Sequence, residues 1–321
     1  MFDPADPTAG AGTACTVRTY DYAGTIGSNG NRTSQASNTF GPDCATTPGT
    51  PTSRNYAYDS ADRPTTGAGG SGQYVYDPLG RQSTLPAADA PTPGDGTSAH
   101  DVTLAYYDSD LPQAITQDGT TTSYTLNTGG RRQVATTGPT GGAPTSTTVR
   151  HYTDTSDNPA WIDKDGVVTR STQSLSGDLG ATIAADGSAT LPLNNLHDDT
   201  LTTITIAAAQ AETVNATSIG PWSDYTEFGT PRDATATTAV GGPAGYGWLG
   251  AKERSTTTES AGLTLMGDRL YNGVTGRFTS PDPEPGGSAT AYGYPTDPIN
   301  QFAQLQPQWP SRSNMLMGSR G

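Results

Sequence analysis

The side chains able to bind a metal ion or to act as a catalytic base are few and lie far apart in the sequence. The three histidines, His100, His151 and His197, belong to no group of histidine, cysteine and carboxylate residues at metal-ligand spacing. No serine can be matched with a base that would activate it. We therefore expect the histidines to be ordinary surface or hydrogen-bonding residues, and we expect no metal or other cofactor.

Two glycine-containing segments resemble ligand loops but lack the residues that such loops need. The run Asp163-Lys164-Asp165-Gly166 resembles the start of a calcium loop, yet the later ligands and the final glutamate are missing. A hairpin turn explains it better. The glycine-rich run from residue 67 to residue 72 has no Lys-Ser or Lys-Thr after it, which excludes a phosphate loop.

Cys15 and Cys44 are the two cysteines of the chain. Neither has a histidine or a second cysteine nearby, so the pair indicates neither a metal site nor redox chemistry. In an oxidising compartment the two residues could form a disulfide bond.

A phrase built from tyrosine, aspartate, glycine and arginine recurs along the first half of the chain. It is complete at Tyr74-Val75-Tyr76-Asp77-Pro78-Leu79-Gly80-Arg81. Weaker copies are Tyr56 to Asp59 with Asp62-Arg63, Tyr106-Tyr107-Asp108, Tyr124 to Asn127 with Gly130-Arg131, and His151-Tyr152 with Asp154. Such recurrence indicates one supersecondary unit that is copied several times.

The copied unit is predicted to be a β-hairpin. Alternation places Tyr74 and Tyr76 on one face of a strand. Asp77 to Gly80 has the composition of a turn, and Gln82 to Leu85 can return as the partner strand. Stacked hairpins can bury their aromatic faces, so we expect the tyrosines to pack within a wall. The repeat positions assigned in this way are Tyr58, Asp59, Tyr74, Tyr76, Asp77, Gly80, Arg81, Tyr107 and Asp108.

The composition predicts an all-β protein made of repetitive antiparallel hairpins. The 321 residues include 40 glycines and 25 prolines, and no segment shows sustained helical periodicity. A formal net charge of −14 disfavours nucleic acid as a partner. No apolar run is long enough to cross a membrane, and the first residues lack the pattern of a signal peptide. Because repeats already run near Tyr20 without a capping segment, we expect the chain to be part of a longer product.

Two sets of motifs resemble the Rhs/YD-repeat family, which includes bacterial polymorphic toxins, Tc toxin C subunits and teneurins. The first is the repeat phrase, at residues 74–81 and again in Tyr20-Asp21 with Gly30-Asn31-Arg32-Thr33. The second is an ordered block that reads YGWLGAK from residue 246, GLTLMGDRLYN from residue 262 and TGRFTSPDP from residue 275. This block is similar to the Rhs repeat-associated core, which closes the repeat region in bacterial members.

The resemblance implies a β-sheet that spirals into a hollow shell around a C-terminal toxin, with the core block at one end. On this basis the chain divides into a YD-repeat sheet (1–160), linking strands (161–245), the core block (246–303) and a short tail (304–321) that we expect to be disordered. The implied partners are the rest of the shell and a C-terminal cargo. The implied location is secreted or at the cell surface.

Several members of the family also cleave their own chain just beyond the core, as aspartyl autoproteases. The resemblance places Arg277 and Asp282 at the family's arginine and first aspartate. The mechanism needs two carboxyl groups, one ionised and one protonated. The second aspartate is expected where this chain has Ala303, and Asp297 lies six residues too early.

We therefore predict a structural shell fragment that does not cut itself, in which Arg277 and Asp282 form a buried or half-buried ion pair that fixes a turn. Two alternatives stay open. One is an autoprotease in which a carboxylate such as Asp297 replaces the missing one. The other is a cell-surface repeat protein that binds glycans.

Overall fold

The computed structural model describes residues 15–22, 30–40, 51–91, 100–213, 215–283, 290–295 and 298–299. The predicted disulfide lies outside these residues, because Cys44 and the side chain of Cys15 are not among them. Asp297, Ala303 and the predicted tail also lie outside the described residues.

Almost all of the described secondary structure is antiparallel β-sheet, which confirms the predicted fold class. The first sheet contains β1 (Cys15–Asp21), β2 (Ser34–Phe40) and β3 (Thr52–Asn55). The large sheet contains β4 (Val75–Tyr76), β5 (Gln82–Leu85), β6 (Val102–Tyr106), β7 (Pro112–Gln117), β8 (Thr120–Leu126), β9 (Arg132–Pro139), β10 (Ser146–His151), β11 (Trp161–Lys164), β12 (Val167–Gln173), β13 (Leu179–Ala184), β14 (Ala189–Asn194), β15 (Thr200–Ile206) and β16 (Ser218–Ile219). The third sheet contains β17 (Ser255–Thr256), β18 (Thr264–Met266), β19 (Arg269–Asn272) and β20 (Arg277–Phe278).

The large sheet is a continuous meander. Each of its strands pairs with its neighbour in sequence, from β4 to β16. Within the part of the chain that the structure describes, the two end strands do not pair with each other, so the sheet is not closed into a barrel.

The segment that resembles a calcium loop is a hairpin turn, as predicted. Lys164 of β11 pairs with Val167 of β12. Asp165 and Gly166 between them have φ angles of 53° and 83°, the left-handed conformations that a two-residue hairpin turn requires. The N–H of Gly166 donates to Asp163 Oδ1 at 2.8 Å, so this carboxylate is used within the turn.

The C-terminal block, which we define as residues 246–283 with 290–295, packs on one face of the large sheet. Tyr124, Ala135 and Thr148 are paired directly across β8, β9 and β10, and all three are buried. Tyr124 and Ala135 share a hydrophobic cluster with Leu263 of the C-terminal block. We call this side of the large sheet the covered face and the reverse side the open face.

The C-terminal block has an aromatic core of its own. The ring of Tyr271 lies 5.0 Å from that of Trp248 and 4.9 Å from that of Tyr294, and Phe278 packs edge-on against it at 5.5 Å. Tyr271 is completely buried. Its hydroxyl donates to the backbone oxygen of Phe228 at 3.0 Å, which joins the block to the segment before it.

The described residues also contain one α-helix, α1 (Ala234–Gly241), which the sequence analysis does not anticipate. It spans about two turns, too short for apolar periodicity to stand out. Asp233 Oδ1 accepts the N–H of Thr235 at 2.9 Å and so caps the start of the helix.

Candidate functional site

The complete repeat folds into a tight turn held by the side chain of Asp77. Asp77 Oδ1 accepts the N–H of Leu79 at 2.9 Å and that of Arg81 at 3.0 Å, while Oδ2 accepts Arg81 Nε at 2.6 Å. Gly80 has a φ of 84° and donates its N–H to the backbone oxygen of Asp77 at 2.9 Å. The Asp, Gly and Arg positions of the phrase therefore form one local unit.

Two further copies repeat this geometry. Asp59 Oδ1 accepts the N–H of Arg63 at 3.0 Å, and Oδ2 accepts Arg63 Nε at 2.7 Å. Asn127 Oδ1 accepts the N–H groups of Gly129 at 2.9 Å and Arg131 at 3.0 Å. Asparagine can replace aspartate here because the turn needs an acceptor for two backbone N–H groups.

Each arginine of these turns packs on a tyrosine of the next repeat. The guanidinium carbon lies 4.9 Å from the ring centre for Arg63 on Tyr76, 5.0 Å for Arg81 on Tyr106 and 4.3 Å for Arg131 on Tyr152. We call these three pairs the arginine ladder. Cation–π contacts of this kind contribute about 0.5–2 kcal/mol each.

Two of the three ladder arginines, Arg81 and Arg131, also hydrogen-bond directly to the next turn. Arg81 Nη1 donates to the backbone oxygen of Tyr107 at 2.8 Å and to Asp110 Oδ1 at 2.9 Å. Arg131 Nη1 donates to the backbone oxygen of Asp154 at 2.6 Å. One arginine thus closes its own turn and fixes the following one.

The tyrosine hydroxyls return hydrogen bonds to the preceding repeat. Tyr58, Tyr76 and Tyr152 donate to the backbone oxygens of Arg32 at 2.6 Å, Pro64 at 2.9 Å and Arg132 at 2.9 Å. Burial raises the pKa of Tyr76, so its hydroxyl stays a neutral donor. These tyrosines therefore pack the repeats together. We call the repeats and the large sheet, which lie between residues 51 and 219, the wall.

The third copy of the repeat is aligned one residue away from the predicted position. Tyr106, rather than Tyr107, takes the place of Tyr76 on the ladder. Tyr107 takes the place of Asp77, since its backbone groups close the turn, and Asp108 is an exposed turn residue. Two adjacent tyrosines before the aspartate make the two alignments indistinguishable from sequence.

Asp89 is a buried residue of the wall that sequence reasoning missed. Its side chain is 0% exposed. Asp89 Oδ2 accepts the hydroxyl of Tyr74 at 2.7 Å and the N–H of Ala68 at 3.2 Å, and Oδ1 accepts Arg54 Nη1 at 3.3 Å. Burial raises its pKa. Its backbone oxygen accepts Asn272 Nδ2 of the C-terminal block at 2.9 Å, although the surrounding composition indicates only a loop.

Arg277, the first candidate catalytic residue, connects the C-terminal block with the first repeats. It is 4% exposed. Its Nη1 donates to Asn31 Oδ1 at 2.8 Å and its Nη2 to the backbone oxygen of Asp62 at 2.6 Å. Its guanidinium carbon lies 4.9 Å from the ring centre of Tyr58.

Asp282, the second candidate, pairs with Arg269. The distance from Arg269 Nη2 to Asp282 Oδ2 is 3.1 Å, and both side chains are nearly buried. The guanidinium of Arg269 also packs on Phe278 at 3.7 Å. The expected ion pair between Arg277 and Asp282 is therefore not formed among the described residues. Arg269 lies on β19, which pairs with β20. The proximity of Arg269 to Asp282 follows from this strand pairing and is not visible in the sequence.

The segment that follows β20 lies against the complete repeat. The N–H of Gln82 donates to the backbone oxygen of Thr279 at 2.8 Å, and the hydroxyl of Tyr106 donates to Thr279 Oγ1 at 3.0 Å. The hydroxyl of Tyr292 donates to the backbone oxygen of Gly80 at 2.6 Å. Arg277 on β20 and Asp282 after it thus flank or belong to a segment that is hydrogen-bonded to the wall.

Later turns of the wall have aspartate where the ladder has arginine. Asn195 Oδ1 accepts the N–H groups of His197 at 2.8 Å and Asp199 at 3.0 Å, the pattern of the Asp77 turn. Asp199 occupies the place of the arginine, and its Oδ1 accepts the N–H of Leu249 in the C-terminal block at 3.0 Å.

Asp178 repeats this exchange one hairpin earlier. The N–H of Ser174 donates to the backbone oxygen of Asp178, which closes the same kind of turn. Asp178 Oδ1 accepts Lys252 Nζ of the C-terminal block at 2.6 Å. Both aspartates therefore contact the block, whereas the ladder arginines contact the next repeat.

Glu253 is a buried acid of the C-terminal block. It is 6% exposed and has a φ of 58°, which is uncommon for a residue other than glycine. Burial raises its pKa to about 7. Its ionisation is therefore sensitive to changes of pH around neutrality.

The three histidines have separate environments. His100 Nε2 lies 3.2 Å from Asp118 Oδ1, and the ring of His151 stacks on Trp161 at 4.5 Å. His197 Nδ1 lies 3.0 Å from Asp199 Oδ1. Burial lowers the pKa of His197, but the hydrogen bond and charge of Asp199 outweigh it, so the pKa is raised.

Within the described ranges, no group of three or more histidine, cysteine, aspartate and glutamate residues is arranged to hold a metal ion. Over the same residues, no helix combines the length and the apolar character that crossing a membrane would demand.

Comparisons with known proteins found a relative in fold. No family model matches the sequence, and no curated protein matches it. The crystal structure of TcdB2-TccC3 superposes on 91% of this chain with a TM-score of 0.59 and 14% sequence identity. TcdB2-TccC3 without its hypervariable C-terminal region covers 90% with a TM-score of 0.45 and 11% identity, and the Photorhabdus luminescens Tc holotoxin pore with TccC3 covers 91% with a TM-score of 0.32 and 12% identity.

The matched region spans 13% of the TcdB2-TccC3 chain. At 14% identity the first match shows the fold alone. The all-β architecture of this chain is thus shared with one portion of TcdB2-TccC3.

Proposed function

We propose that this chain is the closing portion of an Rhs/YD-repeat shell that encloses and presents a C-terminal polypeptide. The observation that carries the proposal is the position of the C-terminal block, which covers the core of the large sheet and is bonded to turns along it. The block is the segment that resembles the Rhs repeat-associated core. The fold shared with TcdB2-TccC3 over 91% of this chain supports the same assignment.

The open ends of the sheet fit this function. A container needs more strands than the thirteen of the large sheet, and β4 and β16 leave the described sheet unclosed. The remaining wall would come from further YD repeats, and the cargo would follow the C-terminal block. As part of such a toxin system, the protein is secreted or attached to the cell surface.

The chain is also proposed to lack self-cleavage. Ala303 stands where the resemblance expects the second carboxylate. Arg277 and Asp282 have packing roles, to Asn31 and to Arg269, that account for their burial. A lone carboxylate cannot supply both the base and the acid of the two-carboxylate reaction.

A protease-protection experiment tests the shell function. The complete reading frame that contains this chain is expressed with a folded reporter joined after the C-terminal block, and trypsin is added. We expect the reporter to resist digestion in the native protein and to be digested after denaturation. A reporter joined before the first repeat is the control and is expected to be digested at once. Equal digestion of the two reporters would contradict the proposal.

Mass spectrometry of the purified chain tests the absence of cleavage. We expect one species of intact mass, unchanged in Asp282→Asn. A fragment that ends near residue 302 and disappears in Asp282→Asn would establish the autoprotease instead.

A further inference from the structure

One row of side chains crosses the open face of the large sheet. His151 of β10 pairs with Trp161 of β11, and Trp161 pairs with Arg170 of β12. Arg170 pairs in turn with Ile183 of β13. Directly paired residues of antiparallel strands point to the same face, with Cβ atoms about 5 Å apart. The four side chains therefore form a continuous row.

The row points away from the C-terminal block. Thr148 of β10 is buried and pairs with Ala135, which belongs to the core beneath the block. His151 lies three residues further along the same strand. Because successive side chains alternate between the two faces, His151 and its partner Trp161 are on the open face.

The local geometry gives this row two different binding groups. The rings of His151 and Trp161 are stacked, with centres 4.5 Å apart and planes 10° apart, which fixes the orientation of the indole. Across the next strand pair lies Arg170, whose side chain is exposed. Among the described residues, the guanidinium of Arg170 has no hydrogen bond or ion pair, in contrast with the ladder arginines.

An oriented indole beside an unpaired guanidinium suits a ligand with an apolar face and one adjacent anion. The C–H face of a pyranose packs on an aromatic ring, and a carboxylate accepts two parallel hydrogen bonds from an arginine. The net charge of −14 disfavours binding of polyanions to the protein as a whole. Arg170 can still attract a single anionic group that comes close to it. We propose that His151, Trp161 and Arg170 form a binding site for a carboxylated saccharide on the open face. This site does not depend on the shell function.

Calorimetric titration of the full chain tests the site. The probes are an unsulfated tetrasaccharide that contains glucuronate and the neutral tetrasaccharide cellotetraose. We expect the carboxylated probe to bind more tightly than the neutral one. Trp161→Ala should weaken binding of the carboxylated probe by about tenfold or more, the loss of one ring-stacking contact.

Arg170→Gln separates the two parts of the site. It should weaken binding of the carboxylated probe by about tenfold and leave binding of cellotetraose unchanged. Trp222→Ala removes an exposed tryptophan, 63% accessible, that is not part of the row, and it is the control that should bind as the wild type does. Trp161→Phe keeps an aromatic ring and should retain most of the affinity, so the test stands even where Trp161→Ala fails to fold.

Three results would overturn the proposal. They are the absence of measurable binding by the wild type, equal affinity for the two probes, and equal losses in Trp161→Ala and Trp222→Ala.

Discussion

The two ends of the large sheet use the same turn but connect it to different parts of the molecule. In the Asp77 turn the position after glycine is Arg81, which contacts the next turn of the wall. In the Asn195 turn the same position is Asp199, which contacts Leu249 of the C-terminal block. At the arginine end this position thus links one turn of the wall to the next, and at the aspartate end it links the turn to the block.

The residue type at this one turn position determines which part of the molecule each of these two turns is bonded to. A long guanidinium side chain can span to the next repeat and stack on its tyrosine. A short carboxylate can only accept N–H groups that come close, as those of the block do. Substitutions at this position should therefore have distinct effects at the two ends.

The largest effect is expected for Arg81→Ala. Loss of this nearly buried side chain leaves Asp77 without its ionic partner. The backbone oxygen of Tyr107 and the carboxylate of Asp110 also lose the guanidinium donor that they share. We expect a loss of about 4 kcal/mol in the free energy of unfolding, measured by urea denaturation. Arg170→Ala, at an exposed arginine, is the control and should change stability by less than about 0.5 kcal/mol. Similar losses for the two variants would mean that the ladder does not hold the wall.

A pH-dependent effect of intermediate size is expected from Glu253. Its folded-state pKa of about 7 lies above the ordinary value of 4.5, so the folded protein binds the proton more tightly. The stabilisation is complete below about pH 4.5 and is lost as pH rises through 7, with a total of up to about 3 kcal/mol.

Urea denaturation between pH 5 and pH 8 measures this effect. Stability should fall across the range in the wild type, and Glu253→Gln should remove that part of the slope. An unchanged slope in Glu253→Gln would show that another group titrates.

A smaller effect is expected for Asp199→Ala. The N–H of Leu249 would lose its acceptor in a buried site, at a cost of about 2 kcal/mol. The loss should appear mainly as faster proteolysis within the C-terminal block, with little change in the wall. Asp108→Ala removes an exposed turn carboxylate and is the control. Faster cleavage of the wall itself would contradict the division between the two ends.

The sequence predicts the local parts of this structure well. The turn at Asp77 to Arg81 and the return strand at Gln82 to Leu85 follow from residue types whose preferences act over a few positions. The ladder could not be predicted, since the reach of Arg81 to Tyr106 depends on how consecutive hairpins stack. The partner of Asp282 was missed for the same reason, because Arg269 is its neighbour through strand pairing.

We infer that the C-terminal block and the wall form one unit, with the block packed over the covered face. Hydrogen–deuterium exchange followed by mass spectrometry tests it directly. We predict that amides of β18 and β19 in the block and of β6 to β9 in the wall are protected together and lose protection together in urea. Rapid exchange throughout the block while the wall stays protected would contradict the claim.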